Sequence, residues 1–105
     1  VAGDFFAIGS SEIVVGFAYA GVSGRAAETR EEALSAFREA VSGDEASYKV
    51  LVVTEDVAVL LEEELLEWQM SGAYPLVVEI PGLGGHIEGR KTLIESIREA
   101  IGLHV

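Results

Sequence analysis

Three places in the chain gather residue types able to do chemistry: Ser10 and Ser11 after the first apolar run, Thr54, Glu55 and Asp56 after the third, and the loop from Pro81 to Arg90. In an open parallel sheet, ligands bind beyond the carboxyl ends of the strands, so these positions are where a site would form. Phosphoryl transfer to an aspartate needs acids after the first strand to hold a divalent cation and an aspartate nucleophile closing the third. Here serines follow the first strand, Thr54 and Glu55 close the third, Asp56 is expected to cap a helix, and no lysine follows the fourth. Phospho-accepting receiver chemistry therefore fails on three counts. Ser10 suits a helix cap far better than an anion site.

The stretch Gly84 to Thr92 imitates a phosphate-binding loop, with Gly84 and Gly89 correctly separated and Lys91 and Thr92 soon after. Arg90 breaks the imitation. In the working motif lysine follows the second glycine directly, so that backbone amides, ammonium and hydroxyl converge on one phosphate. A flexible connector is the better reading, and within it Ile87, Glu88, Gly89 and Arg90 spell the recognition sequence of a specific protease. His86 and His104 lack neighbours of metal-ligand type and are expected at the surface. The acids from Glu55 to Glu67 ride a helix, not the looped backbone of a calcium cage, and are expected to form a solvated face. No catalytic, cofactor-binding or metal-ligating residue is expected.

The elements that would position these residues belong to a chain of 105 residues, half of them hydrophobic, with 7 basic and 18 acidic side chains. That length makes one domain, and that composition excludes disorder. A formal charge of −11 repels phosphate backbones, so nucleic acid is not an expected partner. No apolar run approaches the ~20 residues of a membrane span, so no direct insertion is expected. The absence of cysteine removes disulfides, thiolate zinc sites and thiol nucleophiles, and fits a reducing cytoplasm. With Val1 first and Met70 the single methionine, a trimmed start without a signal peptide is expected.

Phe5 to Ile8 reads as a strand ended by Gly9, and Ile13, Val14 and Phe17 mark one face of the helix that follows. A short edge strand is expected at Arg25 to Glu28 after the turn from Gly21 to Gly24. Ala33, Leu34, Phe37 and Val41 then repeat at helical spacing, with Thr29 and Glu32 placed as a capping box and Gly43 as the stop. Lys49 to Thr54 holds four consecutive apolar residues, the pattern of a central strand in a parallel sheet. A helix is expected from Asp56 to Met70 with Trp68 in the core, a fourth strand from Leu76 to Ile80, and a last helix over about Lys91 to Ala100. The fold class is α/β: a small four-stranded parallel sheet with flanking helices, receiver-like, plus a terminal helix on a glycine-rich connector. Residues 1–81 form the globular part. Residues 82–105 form the connector and terminal helix, with Gly82, Gly84, Gly85 and Gly89 as its hinge.

One feature resists a bland reading. Between Glu12 and Arg25 there is no charged residue, and Val15, Ala18, Tyr19 and Val22 are expected on the face opposite Ile13, Val14 and Phe17. A helix apolar all round wants burial all round, and a helix lying on a sheet is covered on one side only. A partner is the natural cover for the other side.

These residues also carry a resemblance. Ala7-Ile8-Gly9, Gly16-Phe17, Ala20-Gly21-Val22, Glu31-Glu32-Ala33, Val53-Thr54-Glu55, the run from Pro75 to Pro81 and the closing Ala100-Ile101-Gly102 together resemble the F subunit of the V-type and A-type rotary ATPases. The likeness spans nearly the whole chain. Ser10 and Ala18 depart from it, standing where the family usually has an aspartate and a basic residue. The resemblance implies a non-catalytic subunit of the central rotor stalk, cytoplasmic and peripheral to the membrane. It would bind the coiled-coil D subunit of the stalk and reach the catalytic A and B subunits through a mobile terminal helix carrying Ile94, Ile97 and Ile101. From the residues alone, a free-standing receiver-like regulator binding a small ligand or anion at the strand ends stays open as the alternative.

Overall fold

A computed structural model describes residues 1–42 and 48–102. The expected stop at Gly43 and the expected position of His104 lie outside the described residues. A single 3-10 turn leads into β1 (Phe5–Gly9), followed by α1 (Ser11–Tyr19), β2 (Ser23–Ala26), α2 (Arg30–Val41), β3 (Val50–Thr54), α3 (Glu55–Leu60), α4 (Glu62–Ser71), β4 (Leu76–Ile80) and α5 (Leu93–Ala100). The four strands pair in parallel in the order β2-β1-β3-β4, so β1 and β3 share the centre.

Because side chains alternate along a strand, the register sorts the sheet into two unequal faces. Phe6, Ile8, Leu51, Val53 and Val77 point to one face, where they meet Ala33, Ala36 and Phe37 of α2, Val57 of α3, Leu65 of α4 and Leu93 of α5 in the main core. The other face carries Ala7 and Val52 with Phe5, Val50 and Ile80, and α1 reaches it through Phe17. Over β4 this second face is open: Leu76 and Val78 are exposed while Val77 between them is buried.

Local chemistry explains most boundaries. Thr29 and Glu32 form a complete capping box, each side chain accepting from the other's backbone N–H. Ser10 caps α1 by accepting from Ile13 N, and Thr92 caps α5 by accepting from Glu95 N. Gly72, at φ 74°, ends α4 in the left-handed region that glycine adopts without strain.

Four expectations are corrected. The edge strand begins at Ser23, before Arg25, because Gly24 is a strand residue and not part of the turn. A Cβ there would stand 2.4 Å from Ala7 O, so only glycine lets the two strands close. The single helix from Asp56 to Met70 is two helices that break at Leu61 (φ −124°, ψ 26°), and the break turns Leu61 and Leu65 fully into the core. Glu55 opens α3, and it is buried instead of joining a solvated acidic face. Val22 lies beyond the end of α1 and is buried with Ala7 and Val52, so it does not share the outward face of that helix. Trp68 sits at the core's margin, half-buried, edge-on to Phe37 and donating its Nε1–H to Pro75 O.

Candidate functional site

At the strand ends the structure builds a cleft of about 550 Å³ whose polar lining includes Ser10, Glu12, Glu55, Asp56 and His86. Its acids repel phosphate and carboxylate ligands, and its glycine-rich wall is the loop from Gly82 to Gly85. The residues of the imitation phosphate loop are engaged elsewhere: Lys91 pairs with Glu99 at 2.5 Å and Thr92 caps α5. Among the described residues, no group of three His, Asp or Glu side chains is placed to hold a metal ion. Thr54 Oγ1 is buried under Gly9, without a hydrogen-bond partner among the described residues, and a Cβ on Gly9 would stand 2.8 Å from the Thr54 methyl.

What the strand ends do hold is a set of charges. Arg90 lies 9% exposed between two carboxylates, donating to both Glu79 oxygens and, at 3.3 Å, to Glu55 Oε2. His86 Nδ1 stands 2.5 Å from Glu55 Oε1, its ring half exposed. Burial pushes the Glu55 carboxyl up, but the hydrogen bond and charge of His86, with Arg90 beside it, outweigh burial and hold the group below the usual glutamate value. Burial likewise opposes the Arg90 charge, and Glu79 and Glu55 more than restore it. The connector is thus tied to the body at His86 and Arg90, whereas Gly84, Gly85 and Gly89 touch nothing that a Cβ would meet. Local spacing could not reveal this cluster, since Glu55 lies more than thirty residues from its partners. A signal existed in Glu79, an acid inside the otherwise apolar Leu76 to Ile80, which asks for a cation.

The remaining site residues fall on two separate surfaces. On α1, Val15 and Ala18 are exposed and Tyr19 is 90% exposed, and the helix contains no buried residue at all. On the edge strand β4, the exposed Leu76 and Val78 extend the apolar surface of the same sheet face, a contribution that the strand's spacing alone does not reveal. On α5, Leu93 is buried and Ile97 half-buried against the core, while Ile94 and Ile101 face outward. The structure therefore brings Val15, Ala18 and Tyr19 together, and sets Ile94 and Ile101 apart from Ile97.

Comparison with known proteins agrees with this architecture. The chain is 32% identical over 101 residues to the F subunit of the A-type ATP synthase of Methanothermobacter thermautotrophicus, covering 93% of this chain and 92% of that protein. Residues 5–101, from the first strand to the end of the last helix, match the family described as ATP synthase (F/14-kDa) subunit. With sheet, capped helices and terminal helix all inside that match, the chain belongs to the family of the ATP synthase (F/14-kDa) subunit.

Proposed function

We propose that this chain is a non-catalytic subunit of the central rotor stalk of an A/V-type ATPase, binding the stalk's coiled-coil D subunit while helping to couple ATP turnover to ion transport. The observation that supports it is α1: nine residues carrying Val15, Ala18 and Tyr19 outward, exposed among the described residues. Leaving such a surface in water forfeits roughly 1.5–3 kcal/mol for each large side chain a partner would bury. Gly16 and Ala18 keep the surface shallow, so a long helix approaches closely. The family's usual basic residue is Ala18 here, which makes the expected contact apolar instead of ionic. The terminal helix, with Ile94 and Ile101 free, is the element proposed to reach the catalytic A and B subunits, and Gly82, Gly84, Gly85 and Gly89 supply its hinge. The protein would act in the cytoplasm as a peripheral part of the complex; no helix among the described residues is long and apolar enough to cross a membrane.

The test is co-expression with the coiled-coil partner. The unaltered chain should co-purify with it in equal amounts, and Tyr19→Asp should lose at least tenfold in affinity, since a desolvated charge costs more than the contact it replaces. Undiminished binding by Tyr19→Asp and by Val15→Asp would move the interface elsewhere. The alternative, a regulator holding an anion at the strand ends, is disfavoured by the acids lining that cleft.

A further inference from the structure

The sheet ends on β2 at one side and on β4, its longer edge strand, at the other. The N–H and C=O of one residue point to the same side of a strand, and that side alternates along the chain. Leu76 N–H donates to Lys49 O on the β3 side, so Leu76, Val78 and Ile80 pair inward, while Pro75, Val77 and Glu79 turn their main-chain groups away from the sheet. An outward row of this kind is a template for another chain, and folds that must keep it free cover it.

Here the cover reaches only halfway. Two consecutive side chains of α4 seal the first half: Trp68 Nε1–H donates to Pro75 O at 2.8 Å, and Gln69 Oε1 accepts from Val77 N–H at 3.0 Å. Beyond them, Val77 O and both main-chain groups of Glu79 have no hydrogen-bond partner among the described residues. This stretch of β4 forms one wall of a groove of about 320 Å³, with Thr92, Leu93 and Ile94 along the opposite wall. The groove has apolar, exposed lips, Val78 from the strand and Ile94 from α5.

These features define an occupant. Main-chain groups left open along a strand are satisfied by a second strand, because a helix has already spent its own. The charge is set as well. Glu55 and Glu79 line the groove and share one cation, Arg90, in a chain whose formal charge is −11, so a basic segment is attracted and an acidic one repelled.

We propose that the open half of β4 takes up an extended, lysine- or arginine-bearing segment of another protein as a fifth strand of the sheet. Its apolar side chains contact Val78 or Ile94, according to the face on which they fall. The groove shares no residue with α1, and its use does not depend on the stalk reading.

The probe is a short end-blocked peptide alternating lysine and valine, titrated at low salt into the full, isotopically labelled chain and followed by NMR. The Glu79 amide signal should shift, and its hydrogen exchange should slow at least about tenfold at saturation. The same peptide methylated at every backbone nitrogen keeps its charges and side chains but cannot pair as a strand, and it should bind about tenfold more weakly, the scale of two net hydrogen bonds. Glutamate in place of lysine should weaken binding about as much at low salt. Gln69→Ala, which uncovers Val77 N–H, should add the Val77 amide to the protected set and tighten binding about fivefold. An unmoved Glu79 amide overturns the proposal. So does equal binding of the methylated and unmethylated peptides, which would reduce the attachment to charge alone, and that comparison decides even if Gln69→Ala fails to fold.

Discussion

The two faces of the sheet are built from the same strands and differ in almost everything else. On one face α2, α3, α4 and α5 close over Phe6, Ile8, Leu51, Val53 and Val77, and most of the side chains there are fully buried. On the other, α1 lies over Ala7 and Val52 without burying a single residue of its own, and Leu76 and Val78 remain in water. Stability is thus concentrated on the closed face. The open face, with apolar surface but little packing, is where a change can alter binding without altering folding.

The sharpest way to break this contrast is a cavity on the closed side. Leu65, 1% exposed, should cost about 2–5 kcal/mol when changed to Ala, lowering the melting temperature by about 4–8 °C per kcal/mol for a domain of this size. A drop below about 3 °C in a calorimetric scan would mean that the four-helix side is not the stabilising side. A smaller effect comes from acid. The carboxyls held below their ordinary value of 4.5, Glu32, Glu55 and Glu64, lie on α2, α3 and α4. Backbone N–H groups of Glu28 and Thr29 hold Glu32, and Arg30 holds Glu64. A depressed carboxylate contributes its full stabilisation above the ordinary value and loses it as pH falls through the lower folded value. Melts between pH 6 and pH 3 should therefore decline below about pH 4.5, and Glu32→Gln should flatten part of the decline. The smallest effect is expected on the open face, where Val78→Asp places a charge in water already within reach. Its melting temperature should stay within about 3 °C of the unaltered chain, as for other exposed substitutions. A loss like that of Leu65→Ala would show that β4 is covered after all.

How much of this was legible in the sequence depends on how far apart the interacting residues lie. Thr29 and Glu32 declare a helix start because both partners of the capping box fall within one turn, and the apolar run Val50 to Val53 declares an inner strand by itself. Gly24 misled because a glycine after Gly21 reads as turn, although its real task is to let two backbones meet. Leu61 carried no mark of a break, since leucine fits a helix, and the kink serves the burial of Leu61 itself. Val22 continues the helical period of α1 in spacing alone, because Gly21, at φ 85°, follows the end of the helix and turns the chain before it. The place of Glu55 in the ion cluster is illegible for a different reason: charge pairs more than thirty residues apart leave no periodic trace, and only the topology brings Glu55 beside His86 and Arg90.

The strand order carries a kinetic consequence. Pairing β1 with β3 joins Phe5 to Val50, so the central ladder forms only after a long loop holding α1, β2 and α2 has closed. Contacts of that sequence separation slow the search for the native state, because chain entropy is lost before the pairing rewards it. During synthesis the ribosome must release β3 before the sheet has a centre and β4 before its last strand can dock, so productive folding waits for most of the chain to emerge. Residues 82–102 appear after every strand is available, and α5 therefore arrives as a latecomer to a body that no longer needs it to choose its topology.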